Sequence, residues 1–401
     1  MTVDVLARWE GDRRIRVGSL AAGVLGLVAT GAGAATAPRD AAYGYLFAFA
    51  YWLSLCLGAL IILAAFHASR ARWPTVLRRP LEVMAACCPL FAVLFVPVAL
   101  AMPQLFPWVS PPPDLGSHGH HLLEHKRPYL NVPFFLARAA VYFGIWGAVA
   151  WLLYRWSVRQ DAEAGISATS VRLTQRQRRL SAGALPVLVL CLSFASLDWM
   201  MSLEPLWKST VYGLYVGCGA VVAALSTVAV LAAVWRGPGQ FGALMGPHHF
   251  RRLGTLLLAF VCLWAYCGYS QFMLMWVASL PEEVPWYRAR LDGGWRWWAV
   301  LLAVGHFAVP FFLLLVRRVK QHPRSLGMVA VWLLLMRGVD VYWLVMPALH
   351  PRGVFLHWTG LTAWVGVGGL TVAACWALAR GGYTVPVRDP FLLHSLQVAE
   401  R

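Results

Sequence analysis

Apolar stretches of about 18 or more residues recur along the whole chain, and they constrain its fold more than any other feature. A run of that length with few charges can cross a bilayer as a helix. Of the 401 residues, 60% are hydrophobic and only 13% charged, whereas a soluble domain carries about 25% charged residues. We therefore predict an all-α polytopic membrane protein, with residues 1–401 in one integral membrane domain. The ten predicted spans are 17–37, 43–66, 82–102, 134–155, 183–203, 210–235, 253–276, 297–316, 326–347 and 355–379.

The spans are predicted to form two similar units. Spans 2 and 6 run in the same direction, and each carries Gly-Ala near its middle, in "LGALIILAAF" and "CGAVVAALST". Small residues let membrane helices approach closely, and parallel repeats are common in membrane proteins. We predict a four-helix bundle of spans 2–5 (43–203) and another of spans 6–9 (210–347), flanked by span 1 (17–37) and span 10 (355–379).

The distribution of charge predicts the topology. Ten spans place both termini and the even-numbered links on one face, which carries 24 of the 34 Lys and Arg residues. Because Lys/Arg bias orients membrane proteins, we expect this face, with both termini, to be cytoplasmic. The net charge of +17 is thus a topology signal, and no nucleic-acid partner is expected. On the inner face, the polar link 156–182 is interpreted as a flexible connector. On the outer face, link 103–133 is expected to pack across the surface.

No cofactor is expected on this chain alone. The eight cysteines lie in spans without the spacing of an iron–sulfur or covalent haem site, and lone buried cysteines usually pack as small apolar residues. Haem b needs two facing histidines, and only His306 lies well inside a span. The outer segment "SHGHHLLEH" could bind a metal, but it is interpreted as a solvated loop.

The charged residues inside the spans are the candidate functional residues, because charges in hydrocarbon are costly and often functional. Asp198 and Arg138 lie at a similar depth, about 7.5 Å from the outer ends of spans 5 and 4 at 1.5 Å per residue. They form either a structural ion pair or, since burial and the helix dipole disfavour the charge of Asp198, a site of proton exchange.

Similar alternatives apply to the second bundle. Arg337 and Asp340 are three residues apart on one helix face and either neutralise each other or line a proton path. His306 is either a packing residue or a proton carrier, and Tyr342 would extend the path outward. Glu82 is interpreted as an acid near a helix start, favoured by the dipole, or as a point of proton uptake.

Several of these residues lie in strings that resemble quinone-binding subunit 2 of bacterial quinol:cytochrome c oxidoreductase, the alternative complex III. The strings are "SLDWMMSLEPLWKSTVYGLY" (196–215), "WAYCGYSQFMLMWVASLPEEVPWYRAR" (264–290), "GHFAVPFFLLLVRRVK" (305–320) and "RGVDVYWLVMP" (337–347). The chain differs from the family pattern at Glu204-Pro205-Leu206 and Ser279, at the outer rim.

The resemblance implies a multi-pass subunit of the bacterial inner membrane, distantly related to polysulfide-reductase-type membrane subunits. It implies partners: a sister membrane subunit with the quinol site, multihaem cytochromes c and an iron–sulfur subunit, which hold the haems and clusters. The complex would oxidise quinol, with quinone or menaquinone as its cofactor. This accessory, non-catalytic subunit would provide a proton path through Asp198, His306 and Asp340. The alternatives are a stand-alone ion or solute transporter and a purely structural anchor.

Overall fold

The all-α fold follows from the apolar stretches. The computed structural model describes residues 6–9, 12–112, 116–163, 165–279 and 284–397. Within these ranges, ten helices are long and apolar enough to cross a membrane, which confirms the predicted all-α polytopic fold. They are labelled α1 (Arg13–Ala34), α2 (Pro38–Ala68), α3 (Trp73–Leu100), α4 (Val132–Asp161), α5 (Ala168–Leu203), α6 (Tyr212–Val234), α7 (Pro247–Ala278), α8 (Trp295–Leu315), α9 (Pro323–Ala348) and α10 (Trp358–Ala379).

The helices group as two bundles that share a central contact. Helix α2 packs with α3 and α5, and α4 completes this bundle against α3 and α5. Helix α6 packs with α7 and α9, and α8 completes the second bundle. The central contact joins α2 to α6 at the predicted Gly-Ala positions: a Cβ atom on Gly58 would overlap the main-chain carbonyl of Ala220. Only glycine at position 58 permits this approach.

Helices α1 and α10 pair with each other outside the bundles and lie against α2. Their backbones are close: a Cβ atom on Gly26 would lie 2.6 Å from the main-chain nitrogen of Gly366. The indole of Trp52 on α2 donates to the carbonyl of Trp364 on α10 at 2.9 Å. Small residues and part-buried hydrogen bonds, including that from Tyr154 on α4 to the Leu378 carbonyl at 2.6 Å, therefore hold this pair on the first bundle.

The link between α4 and α5 is not the flexible connector that its polar sequence suggested. α4 continues to Asp161, and α5 begins at Ala168, where the Ser167 side chain caps the helix by accepting from the Ser170 N–H. Gln160 donates to the Ser170 carbonyl and the Thr174 hydroxyl, at 2.9 and 2.7 Å. The prediction was wrong because arginine and glutamine are good helix formers, and inward-facing polar groups find partners.

Both ends of the described chain lie on the face of the even-numbered links. The Ala7 N–H donates to the Gly239 carbonyl between α6 and α7, and the Trp9 N–H donates to the Gly382 carbonyl after α10. The terminal helix Leu392–Gln397 is anchored where Ser395 donates to the Trp73 carbonyl at 2.7 Å. An even number of spans requires both ends to lie on the same face, as they do here. Which of the two faces is cytoplasmic stays a prediction.

Candidate functional site

Helix α8 departs from regular α-helical geometry at His306. Residues Leu302–Ala308 form a π-helix, and Pro310 lies four residues after His306. A proline has no N–H to donate to the carbonyl four residues earlier, and its ring displaces that carbonyl. We attribute the wider turn to Pro310. π-Helical segments are frequent at functional sites.

The imidazole of His306 is fully buried and lacks ordinary hydrogen bonding. It stacks on the indole of Trp264 from α7, with ring centroids 4.0 Å apart and planes tilted by 10°. Neither ring nitrogen makes a hydrogen bond of ordinary geometry in the described chain, although the main chain of Met336 approaches the ring. Burying an unpaired polar group costs free energy, so this imidazole calls for a functional explanation.

Helix α9 packs against this part of α8, where the Trp332 indole donates to the Gly305 carbonyl at 2.7 Å, and Asp340 lies two turns further along α9. Its buried carboxylate accepts a hydrogen bond from Arg337 Nη1 at 2.6 Å and another from the hydroxyl of Tyr215 on α6. Arg337 Nε is 3.4 Å from the hydroxyl of Ser54 on α2. All four helices of the second bundle, together with α2 of the first bundle, thus contribute to one buried assembly. We call it the central polar group: Ser54, Tyr215, Trp264, His306, Arg337 and Asp340.

The central polar group extends from the outer half of the membrane towards its middle. At 1.5 Å per residue, Asp340 lies about 12 Å from the outer end of α9. His306 is close to the midpoint of α8, and Ser54 to that of α2. A cavity of about 590 Å³ between α7 and α8 is lined by Tyr215 and Trp264. Two members of the group are therefore reached from a cavity.

Asp198 and Arg138 form a second buried assembly that links α5 to α4. The guanidinium of Arg138 donates from Nε and Nη2 to the two carboxylate oxygens of Asp198, each at 2.8 Å. The Tyr142 hydroxyl adds a third hydrogen bond to Asp198 at 2.9 Å. The remaining Nη1 of Arg138 donates to the Tyr129 carbonyl at 2.9 Å, and the guanidinium lies 3.9 Å from the Tyr129 ring. Bidentate, charge-assisted pairs are the strongest hydrogen-bonded ion pairs.

Glu82 does not lie near a helix start. The helical segment Arg78–Ala86 continues from a 3₁₀ turn, so Glu82 is its fifth residue, and the interpretation as a favoured first-turn acid was wrong. Its buried carboxylate instead lies 3.1 Å from Arg79 Nη1 and accepts a hydrogen bond from Ser157 on α4 at 2.7 Å. Both contacts reach the same oxygen, Oε2, and the hydrogen bond from Ser157 joins α4 to α3.

Residues distant in sequence complete a network around Glu82. Arg78 pairs with Asp389 of the C-terminal segment at 2.6 Å, and Arg79 pairs with Asp161 at the end of α4. Asp161 also accepts from the Val387 N–H at 2.9 Å. The C-terminal segment therefore closes a buried charge network on the face opposite the outer ends of α4 and α5.

Tyr342 is directed away from the central polar group. Its hydroxyl donates to the Phe355 carbonyl at 2.7 Å, and its ring packs on Trp298 with centroids 5.2 Å apart. Tyr342 thus anchors the segment before α10. At the outer rim, Glu204 pairs with Arg290 at 2.6 Å.

The described residues contain no group of three or more His, Cys, Asp or Glu side chains able to hold a metal. The segment interpreted as a solvated outer loop is a helix, Gly116–Lys126. Two cysteine pairs depart from the expectation of lone thiols: the sulfur atoms of Cys87 on α3 and Cys375 on α10 are 3.2 Å apart, and Cys218 on α6 contacts Cys267 on α7.

Sequence reasoning missed three members of the central polar group. Tyr215, Trp264 and Ser54 are uncharged residues in apolar spans, and no local pattern shows that they face a buried ion pair. Tyr142, the third donor to Asp198, was missed for the same reason.

A comparison with known protein families found no family model that matches this chain, and a search of curated proteins found none with significant similarity.

Proposed function

We propose that this chain is the integral membrane subunit of a respiratory quinol:cytochrome c, or quinol:electron acceptor, oxidoreductase of the alternative complex III type. Within that complex it provides a proton path coupled to quinol oxidation. The identity of the complex is supported by the sequence strings that resemble the family. With it come the proposed partners: a sister quinol-binding subunit, multihaem cytochromes c and an iron–sulfur subunit.

The proton path is supported by one observation: a fully buried imidazole, stacked on Trp264 and without ordinary hydrogen bonds, belongs to the same buried part of the second bundle as the Arg337–Asp340 ion pair. Histidine takes up and releases protons near neutral pH, and ionisable residues inside membranes commonly mark proton relays. Asp340 has a tyrosine hydroxyl as one of its two donors, and the other is Arg337. We propose that protons move between His306 and Asp340.

The Arg138–Asp198 pair has a different proposed role. Both carboxylate oxygens of Asp198 are occupied, and the three hydrogen bonds come from two side chains of α4. Protonation would weaken all three bonds, so the ion pair is favoured over proton exchange. We propose that this pair fastens α4 to α5.

The test uses the assembled complex in proteoliposomes with Asp340→Asn, His306→Gln and the control Asp292→Asn. Asp292 is an exposed residue of the outer link before α8. We expect the first two variants to assemble with their cytochromes and to release fewer protons per electron, whereas the control matches the wild type. Unchanged proton release in both variants would remove the central polar group from the path.

Co-purification tests the complex itself. The proposal requires that the tagged chain, extracted mildly from its native membrane, carries cytochromes c and an iron–sulfur protein. A chain recovered alone, with intact fold and no haem absorbance, would instead favour a stand-alone transporter.

A further inference from the structure

Four arginines from three separate segments converge around Trp73 on the face that holds both termini. Arg70 and Arg72 lie in the link between α2 and α3, Arg178 in the first turns of α5 and Arg252 near the start of α7. The guanidinium of Arg252 lies 5.9 Å from the Trp73 ring, and Arg178 is close enough to Arg70 and Arg72 for mutual repulsion. We call these arginines the Trp73 basic cluster.

The surrounding contacts fix the three segments together. Gln177, next to Arg178, accepts from Arg78 at 3.2 Å, which places the start of α5 beside α3. His249 near the start of α7 lies 3.3 Å from the hydroxyl of Ser395, and Ser395 donates to the Trp73 carbonyl. These bonds fix the three segments that carry the cluster next to one another, while Arg178 is half-buried and the other three arginines are exposed.

The arginines of the cluster have no protein counter-charge in the described chain. The buried arginines each pair with a carboxylate: Arg78, Arg79, Arg138, Arg290 and Arg337. By contrast, no described carboxylate lies within ion-pair distance of Arg70, Arg72, Arg178 or Arg252, and none of the four donates a side-chain hydrogen bond to another described residue. Neighbouring cations repel one another, so an anion placed among them would be strongly favoured.

The cluster lies at the level where lipid headgroups are expected. Arg70 follows the end of α2 by two residues, and Arg252 immediately precedes the apolar stretch that begins at residue 253. Arg178 precedes the apolar part of α5 by about 7.5 Å at 1.5 Å per residue. Tryptophan is enriched at this depth.

We infer that the Trp73 basic cluster binds the phosphodiester headgroup of an anionic phospholipid, with the acyl chains along the exposed apolar faces of α5 and α7. Guanidinium groups match phosphate oxygens in a bidentate manner. Basic pockets between membrane helices are known to hold acidic headgroups. The lipid then supplies the counter-charge that the described chain lacks and ties three segments of this face together.

The experiment uses the full chain in neutral detergent, titrated with tetraoleoyl cardiolipin and with dioleoyl phosphatidylcholine and observed by native mass spectrometry. The variant is Arg72→Gln/Arg178→Gln/Arg252→Gln. The matched control is Arg13→Gln/Arg14→Gln/Arg16→Gln, which removes the same charge from the same face at the exposed start of α1. Thermal unfolding in neutral detergent confirms that both variants are folded.

We expect saturable binding of cardiolipin to the wild type, at least tenfold weaker binding to the cluster variant and less than a twofold change in the control. Inorganic phosphate at millimolar concentration should not displace the lipid. Three results would overturn the inference: no preference for cardiolipin over phosphatidylcholine, equal losses in the cluster variant and the control, or competition by phosphate that indicates a site for the free anion.

Discussion

Removing the charge of Asp198 tests what its ion pair contributes to the fold. In Asp198→Asn, one carbonyl oxygen replaces two carboxylate oxygens, and an amide N–H₂ is turned towards the donors of Arg138. Three charge-assisted hydrogen bonds end on Asp198, and each contributes about 1.5–3 kcal/mol. With its carbonyl oxygen at the Oδ2 position, the asparagine keeps the bonds from Arg138 Nε and Tyr142 and loses the one from Nη2, about 1.5–3 kcal/mol. Because the buried charge of Arg138 also loses its counter-charge, we expect a total loss of about 3–5 kcal/mol.

The partner variant Arg138→Gln leaves the carboxylate of Asp198 buried with only the Tyr142 hydroxyl, so a similar loss is expected. The double variant has no stranded charge. We therefore expect the double variant to lose about 2–3 kcal/mol less stability than the two single losses added together. Such a coupling is at the upper end of the range for contacting residues.

The assay is reversible unfolding of the purified chain in mixed micelles of increasing sodium dodecyl sulfate content, followed by tryptophan fluorescence. Asp292→Asn, an exposed change, is the control and should stay within about 0.5 kcal/mol of the wild type. A loss below about 1 kcal/mol for Asp198→Asn, or a coupling near zero, would refute the fastening role. A stable Asp198→Asn chain whose complex releases fewer protons would instead return Asp198 to the proton path.

Three further predictions concern topology, thiols and packing. A cysteine at Ile166 should react with an impermeant maleimide only from the cytoplasm and one at Ser110 only from the periplasm; the reverse pattern would invert the orientation. Mild oxidation with diamide should join Cys87 to Cys375, detectable by mass spectrometry, and should protect both from maleimide; two free thiols after oxidation would contradict the 3.2 Å separation of their sulfur atoms. Gly58→Ala should destabilise the chain by at least about 1–3 kcal/mol, the usual range for overpacking, and an unchanged unfolding midpoint would mean that α2 and α6 are not in contact there.

Features that depend on a single helix, or on the depth of a residue in the membrane, could be predicted from the sequence. Hydrophobic length predicted the ten helices, and Gly-Ala near the middle of spans 2 and 6 indicated sites where helices can approach closely; the structure places Gly58 of α2 against Ala220 of α6. Equal depth suggested that Arg138 lies near Asp198, and the structure joins them. A spacing of three residues likewise suggested the contact of Arg337 with Asp340.

Features that depend on which helices are neighbours could not be read from the sequence. The Tyr215 hydroxyl meets Asp340 only because α6 packs against α9, 125 residues away along the chain. Asp389 reaches Arg78 across 311 residues, and no local pattern predicts such a contact. The prediction for Glu82 was wrong for a related reason: Pro80 resembles a first helical residue, but the 3₁₀ turn Trp73–Leu77 already begins the span.

The two buried aspartates differ in what their surroundings permit, although each is paired with an arginine. Asp198 is held by a bidentate fork and a tyrosine, and its arginine is itself fixed by the Tyr129 carbonyl and ring. All three hydrogen bonds at Asp198 cross from α4 to α5, so this pair is suited to fastening the two helices.

Asp340 receives a single bond from Arg337, and its second donor is the hydroxyl of Tyr215. A proton arriving at Asp340 would leave Arg337 with the Ser54 hydroxyl as a remaining partner. The imidazole of His306, without an ordinary hydrogen bond of its own, is nearby to exchange that proton. Both bundles contain a buried arginine–aspartate pair. The number and kind of hydrogen-bond donors around the aspartate favour a helix-fastening role in the first bundle and proton transfer in the second.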